Sequence, residues 1–67
     1  MNLVTASETW TPEKIRALRE ARRQTQEEFA TEIGVSFSTL NRWENGHARP
    51  TKLSVRRLEE LTREAKS

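Results

Sequence analysis

Cysteine and aspartate are both absent from the 67-residue sequence, and histidine occurs only as His47. Without cysteine there is neither a disulfide nor a zinc–thiolate site to supplement the core. A metal would have to be held by His47 and glutamates alone, so no metal is expected. Glycine occurs twice, at Gly34 and Gly46, which is too few for a phosphate-cradling loop. A core this small also leaves little room for a substrate pocket. These shortages argue against an enzyme, and no catalytic residue and no small-molecule cofactor is assigned. No apolar run approaches the length of a membrane span and no secretory apolar segment is present, so the expectation is a soluble cytoplasmic protein.

Apolar residues make up 33% of the chain, which implies one domain whose burial is concentrated on a few faces. Such a domain is marginally stable, by roughly 5 kcal/mol. Twelve lysines and arginines stand against ten carboxylates, all glutamate, for a formal net charge of +2. The isoelectric point is about 9.7. That balance points only weakly to nucleic acid, because arginine-rich helices often carry nothing more than a solvated face. The distribution of the charges carries more information than their sum.

Residues 1–11 show no sustained period and read as a flexible arm, in which Leu3 and Val4 are the apolar residues able to pack. Thr11-Pro12-Glu13 is a helix start: a hydroxyl cap, a proline in the first turn and an acid at the positive end of the dipole. Ile15, Leu18 and Ala21 then recur on one face, predicting a first helix over residues 12–23. Thr25 and Glu28 have the spacing of a capping box for a second, two-turn helix with Phe29, Ala30 and Ile33 inward and Gly34 at its end. Ser36 caps a third helix with Leu40 and Trp43 inward, stopped at Asn45-Gly46. After the loop through Pro50, Thr51 or Ser54 opens a last helix with Leu53, Leu58 and Leu61 as its apolar face. Residues 12–63 therefore form the domain, and residues 64–67 a fraying tail. The pattern is all-α, with no alternation of the strand type and no internal repeat.

Two very short helices joined by a glycine turn are poor in isolation and hold together only by crossing steeply over shared small and apolar residues. The run Gln26-Glu-Glu-Phe-Ala30-Thr-Glu-Ile-Gly34-Val-Ser-Phe-Ser-Thr-Leu40-Asn-Arg-Trp-Glu-Asn-Gly46 meets each of those demands. It resembles the helix-turn-helix of the phage repressor and Cro family, and the similarity extends more loosely over residues 15–61. The resemblance implies a compact lambda-repressor-like bundle of four to five short helices. It implies a prokaryotic transcription regulator, nucleoid-associated, with residues 36–44 as the recognition helix in the major groove of double-stranded DNA. Phe37, Ser38, Asn41 and Arg42 match outward positions of that helix: Arg42 suits guanine, Asn41 adenine and Phe37 a thymine methyl. Phe37 also reads as an aromatic at the edge of the core, and Asn41 and Arg42 as an ordinary solvated face. Gln26, at a helix N-terminus, matches a glutamine that contacts phosphate and base; its other reading is a plain exposed helix start. Thr25, Thr39, Asn45 and Arg49 match positions near the DNA backbone. Arg19 and Glu44 match a structural ion pair joining the first helix to the end of the third. Residues 41–57 carry five cations against Glu44, a gathering that suits phosphate neutralisation.

One recognition helix contacts few base pairs, so useful specificity implies a homodimer on a palindromic operator. The C-terminal helix is the expected dimer surface, with Leu53 or Leu61 partly exposed. The sequence departs from the family in the bulk of Phe37, in the acidic second helix, whose Glu27, Glu28 and Glu32 should face away from DNA, and in a fifth helix that is short or absent. With no room for an activation or ligand domain, repression is the expected regulatory sense. The competing expectation is a protein-interaction module, a coactivator or antitoxin-like partner, using the same helical surface.

Overall fold

The computed structural model describes residues 9–65, which form four helices: α1 Pro12–Ala21, α2 Gln26–Ile33, α3 Phe37–Glu44 and α4 Lys52–Ala65. The arm residues Leu3 and Val4 lie outside the described residues, as does the end of the tail. Among the described residues no helix is long and apolar enough to cross a membrane.

Each helix begins where a hydroxyl can satisfy orphan amides. Thr11 Oγ1 accepts from Lys14 N–H at 3.1 Å, Ser36 Oγ from Thr39 N–H at 3.1 Å, and Thr51 Oγ1 from Ser54 N–H at 3.2 Å. At α2 the capping box is reciprocal: Glu28 N–H donates to Thr25 Oγ1 at 3.1 Å, and Thr25 N–H donates to Glu28 Oε1 at 2.9 Å. Gly34 ends α2 at φ +91°, a conformation that costs a side-chain-bearing residue and not glycine. Thr51, rather than Ser54, opens α4.

α1 stops two residues short of the expected end. Arg23 takes a left-handed φ of 56° and Gln24 N–H donates back to Arg19 O at 3.2 Å, closing the helix with a turn. Ala21 is exposed, because the inward stripe of Ile15 and Leu18 continues at position 22 on a helix of 3.6 residues per turn. The half-buried Arg22 lays its stem over the core there and sends its guanidinium to Glu32 and to the Leu61 carbonyl.

The core is one cluster: Ile15 and Leu18 of α1, Phe29, Ala30 and Ile33 of α2, Leu40 and Trp43 of α3, and Val55, Leu58 and Leu61 of α4, with Val35 and Ala48 packed at its edge. Trp10 belongs to this cluster at 6% exposure, so the arm expected through residue 11 gives up its last aromatic to the fold. The Lys14 ammonium lies 4.8 Å from the Trp10 ring centroid, a cation–π contact that holds the entry to α1. On α4 the expected stripe is corrected. Val55 is buried and Leu53, two residues earlier and about 200° around the axis, is 76% exposed. Leu61 is fully buried and unavailable as a surface residue.

Candidate nucleic-acid interface

α2 and α3 pack across each other through Phe29, Ala30, Leu40 and Trp43, which fixes the face that α3 turns outward. Phe37, at the first turn, is 48% exposed; Ser38, Arg42 and Asn45 are exposed, and Thr39 and Asn41 are half-buried. Phe37 is therefore outside the core, on the same side of α3 as Ser38 and Asn41. Thr39 Oγ1 accepts from the Ser36 hydroxyl at 2.9 Å, so this side chain is tied to the cap of its own helix. Thr25 is similarly occupied by the α2 cap.

Glu44, at the end of α3, is the one buried charged residue among those described, with 4% exposure. Arg19 grips it with two parallel bonds, Nε to Oε2 at 2.8 Å and Nη2 to Oε1 at 3.0 Å. Arg19 also donates to Gln24 O at 3.2 Å, and Arg16 Nη2 donates to Glu44 O at 2.8 Å. The hydrogen bond to Glu44 raises the Arg19 pKa further above its ordinary value against the opposing effect of desolvation, so the guanidinium stays charged. α1 is thereby clamped to the C-terminus of α3, and the orientation of α3 is set from behind.

Gln26, the first residue of α2, is half-buried and turned toward α3. Its Nε2 donates to Asn41 Oδ1 at 3.3 Å and to Glu44 Oε1 at 3.2 Å. The structure thus brings Gln26, Asn41 and Glu44 together. The sequence offered Gln26 and Asn41 as separate DNA contacts and contained no hint of this link. Arg16 and Lys14 were likewise unassigned; an arginine one turn from Arg19 on α1 was the only available clue to the former.

The cations divide into two groups. Arg16 and Arg19 meet Glu44, Arg22 meets Glu32 and Glu64, and Arg57 meets Glu32 and Glu60. The side chains of Arg42, Arg49, Lys52 and Arg56 form no ion pair among the described residues. These four follow α3, the loop after it and the start of α4, while two further cations without an ion pair among the described residues lie elsewhere: Arg23 just after α1, and Lys14 over the Trp10 ring. Of the acids of α2, Glu28 caps its own helix, Glu32 pairs with Arg22 and Arg57, and Glu27 is exposed. Beside the turn, Ile33, Gly34, Val35, Leu53 and Arg56 line an open groove of about 270 Å³. Among the described residues no cluster of His, Cys, Asp and Glu is placed to hold a metal.

A family model described as helix-turn-helix matches residues 15–64, most of the chain. No curated protein and no solved structure matches it. The matched span covers the two crossed helices, the clamp on Glu44 and the cations Arg42, Arg49, Lys52 and Arg56. The chain belongs to the phage repressor and Cro type of the helix-turn-helix family, a family of DNA-binding regulators.

Proposed function

We propose that the protein binds double-stranded DNA sequence-specifically with α3 in the major groove. The observation that carries this reading is the outward face of α3, where Phe37, Ser38 and Arg42 are exposed beside the half-buried Asn41 and Arg42 has no carboxylate partner among the described residues, although both arginines of α1 have one. Arg42 has the fork to pair with guanine O6 and N7, and Phe37 the apolar surface for a thymine methyl. Thr25, Gln26, Thr39, Asn45 and Arg49 flank this face and serve the sugar–phosphate backbone, Gln26 through the N-terminus of α2. Repression needs only that a site be occupied, and a reader of this kind supplies occupancy.

A single α3 reads too few base pairs for an operator. Two copies on half-sites about one helical turn, roughly 34 Å, apart supply the rest. Leu53, a large apolar side chain at 76% exposure on α4, supports a homodimer through that helix. Leu61 has no part in it.

Titration of duplex DNA at several salt concentrations tests the reading. Affinity should fall steeply with salt. Arg42→Ala should cost about 1–3 kcal/mol, confined to one base pair, whereas Arg49→Ala should weaken all sequences alike and lower the salt slope by about one. Equal and sequence-independent losses from both changes would refute the assigned roles. Sedimentation that finds one copy on a palindromic site would refute the dimer.

A further inference from the structure

We infer that Phe37 recognises a C5 methyl group in the major groove, so the protein takes 5-methylcytosine as well as thymine there. Methylation of a cytosine at that position then tightens binding. The inference rests on the DNA-binding reading above and adds a modified base to the DNA that the protein takes.

Phe37 is the only large apolar side chain exposed on α3, at 48% exposure. It is the first residue of the helix, after the Ser36 cap, and lies on the outward side with Ser38 and Asn41. A phenyl ring has neither a donor nor an acceptor for a base heteroatom, so its gain on a base edge is the burial of carbon against carbon. In the major groove the carbon substituent that a base edge presents is the C5 methyl. Thymine carries one, and cytosine acquires one on C5 methylation. The two pyrimidines then differ at position 4, an acceptor O4 in thymine and a donor N4 in cytosine.

The rest of α3 does little to separate those two. A carboxylate reads cytosine by accepting from N4. The chain has no aspartate, and Glu44, the one carboxylate of α3, is 4% exposed and held by Arg19. The hydroxyls of Ser36 and Thr39 are bonded to each other at 2.9 Å, and Ser36 Oγ also accepts from Thr39 N–H. Ser38 and Asn41 each offer both a donor and an acceptor, so they serve O4 and N4 alike. What remains to distinguish one pyrimidine from another at Phe37 is the methyl group.

Selection from a randomised duplex pool by the wild type and by Phe37→Ala locates the base pair, as the one whose preference the substitution erases. Thymine should be selected there. Duplexes with thymine, uracil, cytosine or 5-methylcytosine at that pair are then titrated. Thymine against uracil, both opposite adenine, changes the methyl alone, as does 5-methylcytosine against cytosine, both opposite guanine. The methyl should tighten wild-type binding roughly fourfold in each comparison, the worth of one buried methyl group. Phe37→Ala should bring both ratios to one, and Phe37→Leu, which keeps an apolar surface, should hold both above one. Each ratio is internal to one variant, so a change in its stability does not enter. A wild type indifferent to methylation of the cytosine overturns the inference and leaves DNA binding standing. A methyl effect that survives in Phe37→Ala, or a substitution that erases no preference, does the same. A wild type that enriches no sequence overturns the DNA-binding reading and this inference together.

Discussion

Glu44 shows how one residue ties stability to the interface. Its side chain is 3% exposed, and the Arg19 side chain that grips it is 17% exposed. Two charges so placed are held by each other, and removing one strands its partner in a poorly solvated site. Glu44→Ala should therefore cost about 3 kcal/mol, a large part of the stability of a domain this size. Urea unfolding of Arg19→Met/Glu44→Leu should show a much smaller loss than Glu44→Ala alone, because the double variant leaves no buried charge. Equal losses would mean that the pair acts as bulk and not as charge. In the sequence, Arg19 and Glu44 were linked only through the family resemblance, since no local spacing connects residues on α1 and α3. The bond between Gln26 and Asn41 was illegible for a related reason. It depends on the angle at which α2 crosses α3, and capping and periodicity do not report that angle. Trp10 was misplaced because a lone aromatic before a cap carries no period.

Among the elements, the connection between α2 and α3 sets the crossing. Gly34 makes it possible at φ +91°, and a Cβ built there meets nothing within 4 Å. The demand is thus conformational and not steric. Gly34→Ala should destabilise by about 1 kcal/mol through the left-handed backbone alone, and Gly34→Asn by less, since asparagine tolerates that region. Thermal unfolding of the two variants checks the order; equal losses would point to a packing role for the glycine. The starts of α1, α2 and α3 were legible because caps are local chemistry: Thr11, Thr25 and Ser36 each sit next to the amides they satisfy. The faces were less legible. Ala21 and Leu53 match an apolar code, yet the stripe passes instead through Arg22 and Val55. An arginine stem can cover a core as well as a methyl can, and the position around the axis decides which side chain faces inward.

At the scale of the whole molecule, the charge is sorted. Glutamates pair with Arg16, Arg19, Arg22 and Arg57. Four of the cations left over, Arg42, Arg49, Lys52 and Arg56, lie along α3, the loop behind it and the start of α4, with Arg23 and Lys14 apart from them. A net charge of +2 gives no sign of this, because the sorting is spatial. The outward face of α3 and the exposed Leu53, which shares a groove with Arg56, belong to different helices, and each is a candidate for what the protein presents to a partner. Amide chemical-shift mapping of the labelled protein, titrated with duplex DNA at low salt, separates them directly. The expected result is that the largest shifts fall on Gln26, Phe37, Ser38, Asn41, Arg42 and Arg49. Shifts confined to Leu53 and the groove beside it, or none at high micromolar DNA, would contradict the assignment of α3 as a DNA reader.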